Sequence, residues 1–302
     1  MLLREMRAED RPAVLDLLEH AFHLRELFER YMDFDPAFAY ANFLLALDGG
    51  RPVACVQVFD KTIRLGGGAV RLGGIGSVAT HADFRGRGVS SELLVAMIER
   101  MRARGMALSL LFAGPAQPLY ARHGWQRIAL PLIRLRARAG AQPVADAGRT
   151  FVAADLPAVG ALYDAYCARL AGTTVRDEGY WRGQLRTAGT PSEEFRVAER
   201  NGAIAAYARS ASFAGRPRVL EYARSASGAS ALADLLVHLT RAPNALPIPD
   251  ARDAELAIEL EARGLELGPV PDGSAMWRDL DDRALTRQLR TDAITYWPSD
   301  RF

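Results

Sequence analysis

Apolar residues along this chain recur at two spacings, one helical and one extended. Val89, Leu93, Leu94, Met97, Ile98 and Met101 lie three and four apart, which predicts a helix with one buried face, stopped at Gly105. Phe43 to Gly50 followed by Val53-Ala54-Cys55-Val56 reads as a strand, a glycine turn and a returning strand. Phe195 to Gly202 followed by Ala203-Ile204-Ala205-Ala206 repeats that arrangement. A second echo joins Ala8-Glu9-Asp10-Arg11-Pro12-Ala13-Val14 to Ala153-Ala154-Asp155-Leu156-Pro157-Ala158-Val159. Each follows a short apolar run and opens an amphipathic helix, with Asp10 and Asp155 as expected N-caps and a proline where a first turn tolerates one. The echoes are offset by about 145 and 152 residues, which predicts two copies of one fold. Chance similarity in an alanine-rich chain is the competing explanation.

The expected architecture is α+β, with two tandem lobes, each a twisted mixed, largely antiparallel sheet flanked by helices. The first lobe is expected over residues 1–138 and the second over 149–280, with a linker rich in Ala, Gly and Pro from Ala137 to Gly148. Met276 to Leu280 reads as a last strand and Asp282 to Arg290 as a short helix. Residues 281–302 form a tail whose end (Thr295-Tyr296-Trp297-Pro298-Ser299-Asp300-Arg301-Phe302) is too aromatic to stay undocked.

At 302 residues the chain has room for two cores, and its composition, 49% hydrophobic and 25% charged, is that of a globular protein. The formal net charge of +2 comes from mixed charges, with no basic tract to read nucleic acid. Lys61 is the only lysine. No apolar run approaches the roughly 20 residues of a membrane span, and no signal-peptide pattern opens the chain, so the cytoplasm is the expected location. Cys55 and Cys167 lie in separate apolar stretches, as buried free thiols do, and no metal-ligand spacing is present.

The segment that carries chemistry runs from Ile75 to Ser90. An extended run, Gly76-Ser77-Val78-Ala79-Thr80, breaks into a turn and meets Arg85-Gly86-Arg87-Gly88, which opens directly into the predicted helix at Val89 and Ser90. Unpaired amides at a helix start, with the positive end of its dipole, suit an anionic phosphate. Gly86 and Gly88 let the backbone approach closely, and Arg85 and Arg87 add charge. The loop resembles the R-x-x-G-x-small pattern of GCN5-related N-acetyltransferases, in Arg85, Gly88 and Ser90. About thirty residues on, Pro118-Leu119-Tyr120-Ala121-Arg122-His123-Gly124-Trp125 resembles that family's aromatic-Tyr-x-x-x-Gly-aromatic segment.

The resemblance implies acetyl-CoA as co-substrate, with its pyrophosphate on Arg85, Gly86, Arg87, Gly88, Val89 and Ser90. Its pantetheine arm would lie along Val78, Ala79 and Thr80. It implies Tyr120 as general acid for the leaving thiolate; packing beneath the cofactor is the alternative role. The arrangement further resembles tandem acetyltransferases of the enhanced-intracellular-survival type, whose second copy is degenerate and whose terminal carboxylate serves as base. That role would fall to Phe302. The second copy here keeps strand, small-residue loop (Ser225 to Ser230) and helix but loses the loop arginines, as a structural or cleft-shaping lobe would.

The expected activity is transfer of an acetyl group to a primary amine of a small molecule or a protein. His81 and His123 are further base candidates, equally readable as surface or supporting histidines. Glu26, Asp33 and Asp35 fall in the segment that lines the acceptor pocket in that family and could attract a cationic amine or solvate helix ends; solvation is the first reading for Asp33 and Asp35, and Glu26 reads equally either way. A non-catalytic acyl-CoA-binding regulatory module is the alternative. A dinucleotide-dependent oxidoreductase is disfavoured, because the glycine loop does not follow a first strand. The sequence leaves homo-oligomerisation and acceptor identity open.

Overall fold

The computed structural model describes residues 1–139, 144, 147–188, 193–213, 216–240, 246–291 and 294–302. The chain opens with β1 (Leu2–Glu5), α1 (Arg11–Phe22) and α2 (Arg25–Phe34). β2 (Phe43–Asp48), β3 (Arg51–Leu65) and β4 (Gly68–Thr80) follow, then α3 (Val89–Ala103), β5 (Leu108–Phe112), α4 (Gln117–Arg122), β6 (Gln126–Arg127) and β7 (Leu132–Ala137). A similar succession then recurs. It runs β8 (Arg149–Thr150), α5 (Leu156–Cys167), α6 (Glu178–Ala188), β9 (Glu194–Arg200), β10 (Ala203–Phe213), β11 (Arg216–Arg224), α7 (Ala229–Leu239), β12 (Leu246–Pro249), α8 (Ala254–Ala262) and β13 (Leu265–Pro269). β14 (Ala275–Asp279) and α9 (Leu285–Thr291) lead into the tail. The fold is α+β, in two similar lobes.

The repeat is visible at the level of atoms. Arg4 on β1 grips Asp10 with both guanidinium nitrogens at 2.6 and 2.8 Å, and Arg149 on β8 grips Asp155 in the same way at 2.7 and 2.8 Å. Neither aspartate caps its helix forward, as the sequence suggested. Each ends a short 3₁₀ turn and accepts from the amide three residues back, Arg7 or Val152, at 2.8 Å. The carboxylate thus braces strand to helix in both lobes, a bidentate geometry that only Arg supplies.

In the first lobe α3 buries all six residues that its spacing predicted, and the chain leaves it through Gly105 at φ 72°. This face covers β2 to β5, while α1 and α2 cover the other through Val14, Leu18, Phe28 and Met32. Both cysteines are free and buried.

The sheets do not follow the expected boundaries at 138 and 280. Among the described residues the first sheet has seven strands in the order β1-β2-β3-β4-β5-β14-β6, so β14 from beyond the second lobe lies between two first-lobe strands. Conversely β7 pairs on both sides with second-lobe strands, in the order β12-β7-β13. Edge complementarity, rather than chain order, decides membership: Trp277 of β14 is fully buried in the first lobe's core, opposite Leu110. The second lobe's other sheet, β11-β10-β9-β8, is wholly antiparallel. Part of the expected linker lies outside the described residues.

Candidate active site

β4 runs parallel to β5 from Leu72 to Ile75, opposite Leu108 to Leu111; the pairing stops there although β4 continues to Thr80. On its other edge the register with β3 slips between Cys55 and Gln57, and Ser77 adopts left-handed backbone at φ 52°. This is a β-bulge, which bends a strand and redirects its groups. Two buried contacts hold it: Ser77 Oγ donates to Gln57 Oε1 at 2.8 Å, and Cys55 Sγ donates to Ser77 O at 3.2 Å. Beyond Ile75 the β5-facing edge of β4 has no strand partner among the described residues, a gap in the pairing that begins where β5 ends at Phe112. The His81 amide donates to Val53 O on β3 at 2.8 Å, so alternation aims the Thr80 and Val78 amides away from β3, into the gap.

Beyond Thr80 a 3₁₀ turn (Ala82–Phe84) leads to the arginine-glycine loop. Gly86 (φ 76°) and Gly88 (φ 81°) occupy left-handed backbone, yet a side chain on either would meet nothing within 4 Å. Glycine is therefore required by backbone conformation, and the surface above it is open. Among the described residues the amides of Gly86 to Ser90 find no acceptor, while Ser91 and Glu92 donate to Gly88 O at 2.9 and 3.1 Å. Arg85 is anchored through Nε to Thr80 O at 3.1 Å, and Arg87 rests 5.1 Å over the Phe84 ring. Ser90 is more than a small residue here, since its hydroxyl shares a 2.7 Å hydrogen bond with Thr80 and ties helix start to strand end. A hollow of about 390 Å³ lies over Thr80, Arg85, Gly88, Ser90 and Arg122. Such a cluster of free amides beside two guanidiniums can hold a diphosphate.

The tail ends at the same gap. The Phe302 ring stacks on Phe59 of β3 (5.1 Å, 22°) and leans on Phe112 of β5 (5.8 Å). A side chain on Gly74 would overlap that ring, and one on Gly76 would begin 3.5 Å from the Phe302 carboxyl carbon. Gly74 thus clears the seat of the tail's ring, whereas a side chain on Gly76 would press first on Phe59 Cε2, at 2.9 Å. On the far side of Phe302 a small hollow of about 30 Å³ is lined by Tyr31, Asp35, Phe59, Lys61 and Tyr180. Lys61 Nζ donates to Tyr180 Oη at 2.8 Å, and burial holds its ammonium below the usual lysine range, partly opposed by Asp35 and Asp300. Arg301 pairs with Asp272 and lies 4.3 Å over the Phe112 ring.

Tyr120 sits on α4 within the apolar core that carries Ile75, Val89 and Leu111, edge-on to Trp125 at 6.1 Å. Burial pushes its phenol up to about 12. His123 reaches Ser91 Oγ at 3.0 Å from the helix side of the loop, and burial and nearby Arg278 hold it below the usual histidine range. His81 stacks on His20 at 5.9 Å. Asp33 pairs with Arg11 at 2.7 Å, as a surface group does. Asp35, read first as solvating a helix end, does accept from the Ala37 amide at 2.9 Å just past α2, and it also lines the small hollow, which Glu26 does not. Sequence reasoning also passed over Lys61, Gly74 and Gly76. The glycine-rich stretch of β4 was the available signal for the last two, since glycine inside a strand marks a close approach.

The corresponding loop of the second lobe is shut. The Ser225 amide donates to Ala205 O at 2.8 Å, and a side chain on Gly228 would run into that same carbonyl. Arg224, at the strand end, spends its guanidinium on Asp253, Glu255 and the carbonyls of Ser225 and Ala226.

The chain was compared with known proteins. No curated protein sequence matches it. A family model described as an acetyltransferase (GNAT) domain matches residues 3–128. Among solved structures, a GCN5-related N-acetyltransferase from Anabaena variabilis aligns with TM-score 0.71 at 16% identity, covering 93% of this chain and 73% of that one. One from Kribbella flavida aligns with TM-score 0.69 at 22% identity, over 93% and 72% of the two chains. Eis1 from Mycobacterium abscessus aligns with TM-score 0.61 at 20% identity, over 93% and 74%. With the bulged strand and the arginine-glycine loop in place, residues 3–128 match the acetyltransferase (GNAT) domain, and the chain shares its fold with the solved structures above.

Proposed function

We propose that the chain transfers the acetyl group of acetyl-CoA to a primary amine. The observation that carries this reading is the alignment, along one strand, of three features: free loop amides beyond Thr80, inward-facing amides at Val78 and Thr80, and a carboxyl carbon against Gly76. The loop from Arg85 to Ser90 would take the pyrophosphate, and the gap beside Val78, Ala79 and Thr80 the pantetheine arm. A main-chain amide there would polarise the thioester carbonyl. The amine would enter past Tyr31, Asp35 and Lys61. As its nitrogen bonds to the acetyl carbon and the C–S bond breaks, its proton would pass to the Phe302 carboxylate. Tyr120 would protonate the departing thiolate. A close, ordered approach of this kind supplies much of the rate enhancement in two-substrate transfers.

Calorimetric titration with acetyl-CoA, joined to a thiol-release assay over kanamycin, spermidine, tryptamine and a lysine-containing peptide, tests the reading. Tight binding with turnover of at least one amine is expected. Binding without thiol release would favour the regulatory-module reading, and absence of binding would end both.

A further inference from the structure

Behind Phe302 lies a buried ionic cluster that the acetyl-transfer scheme leaves without a task. Arg176, between α5 and α6, has a side chain with no exposed surface and sits between two carboxylates, Glu221 of β11 at 2.7 Å and Asp300 of the tail at 2.9 Å. The rings of Tyr163 (4.1 Å) and Trp181 (4.4 Å) flank its guanidinium. Asp300 Oδ1 also accepts from Tyr180 Oη at 2.9 Å and from Gln184 Nε2 at 3.0 Å. Gln184 Nε2 reaches Ser299 O as well, at 3.2 Å, and Ser299 Oγ bonds Glu221. Tyr296 Oη donates back to Asp300 O at 3.0 Å. Every one of these groups outside the tail belongs to the second lobe.

Burying charge is a costly way to hold a segment, and apolar contacts alone, such as the fully buried Trp297, would attach the tail. What directional ionic contacts add is register. Asp300 lies two residues before Phe302, a reach of at most about 7 Å, so fixing one fixes the other. The second lobe has closed its own loop against β10, yet it retains this grip.

We propose that the second lobe is a clamp that sets Phe302 over Gly76, with Arg176 and Gln184 as positioning residues that act through Asp300. The proposal rests on the reading of Phe302 as the proton acceptor. Its test uses the full chain with Asp300→Asn, Gln184→Ala and a reference chain carrying one added glycine after Phe302. That addition moves the carboxylate and leaves the ring and clamp residues unchanged. Acetyl-CoA affinity, acceptor KM, kcat and melting temperature are measured for each, using the best amine of the panel above. The clamp predicts a kcat lowered by about 100-fold in Asp300→Asn and about 10-fold in Gln184→Ala, with acetyl-CoA affinity unchanged. Should Asp300→Asn fail to fold, Gln184→Ala, which removes no charge, carries the test. Wild-type kcat in both, or parallel losses in kcat and acetyl-CoA affinity, overturns the clamp. Full activity of the glycine-extended chain overturns the reading of Phe302 instead, so the two failures are told apart.

Discussion

The carboxyl carbon of Phe302 lies 3.5 Å from where a side chain on Gly76 would begin, at the first position of β4 beyond its pairing with β5. Gly74, two residues earlier on the same face, leaves room for the Phe302 ring. Gly74 and the Phe302 ring are therefore fitted to one another, and Gly76 to the Phe59 ring on which Phe302 stacks. Gly74→Val should expel the ring and carry the carboxyl group with it. Displacements on the ångström scale cost on the order of 100-fold in rate. Steady-state kinetics should show that loss in kcat, with acetyl-CoA affinity by calorimetry close to wild type. Unchanged kcat would show that the tail has no part in turnover.

The arginine-glycine loop should behave differently, as a binding element. Arg87→Glu replaces a donor with a repulsive charge beside the free amides of Gly86 to Ser90. A charge-assisted contact is worth roughly 1.5–3 kcal/mol, so the acetyl-CoA KM should rise roughly 10- to 100-fold while kcat at saturation stays near wild type. Gly88→Val should add backbone strain at φ 81° to the same defect. A KM that does not move in either variant places the pyrophosphate elsewhere.

Much of this was legible in the sequence, because local chemistry determined it. The six apolar positions of α3, the turn glycines and the loop that opens the helix all depend on neighbours within a few residues. The strand exchange was not legible. Whether Trp277 of β14 pairs with Leu110 or with a second-lobe strand depends on which sheet edge is free, a property of the assembled fold. Asp10 and Asp155 show the same limit on a smaller scale. Their place before a helix suggests forward capping, but a bidentate arginine on the preceding strand turns each carboxylate backward. The small hollow beside Phe302 was hidden for a similar reason: Asp35 was a candidate from the sequence, but Lys61 and Tyr180 join it only when both lobes and the tail are folded.

Tyr120 gives a prediction in which sign matters. Burial raises its phenol to about 12, so the proton needed by a general acid is retained through the whole practical range. The rate should therefore show no alkaline fall that belongs to Tyr120 below about pH 11. An ordinary phenol near 10 already lies above a thiol near 8.5, and the shift widens that gap, so proton donation runs further uphill and its contribution falls at the lower end of general-acid effects. Tyr120→Phe should lower kcat by about 100-fold and leave the melting temperature within a few degrees, since no described residue hydrogen-bonds the hydroxyl. Activity equal to wild type would leave Tyr120 as packing alone.

Glu221 links the second lobe to pH. Burial by itself pushes its carboxyl up, but Arg176 and Arg209 beside it hold it down at about 2, against about 4.5 in the unfolded chain. A depressed carboxylate stabilises the fold fully above its unfolded value and loses that contribution as pH falls toward its folded one. The contribution is on the order of 3 kcal/mol at neutral pH and should fade between about pH 4.5 and pH 2. Glu221→Gln removes the charge that Arg176 and Arg209 share, leaving Arg176 with Asp300 and Arg209 with Glu193, so it should melt below wild type near neutrality. Thermal melts taken across this range should show the gap between the two proteins closing as the medium becomes acidic. A gap that stays constant from neutral to acid would mean that Glu221 is not held ionised by its arginines, and that Arg176 is balanced by Asp300 instead.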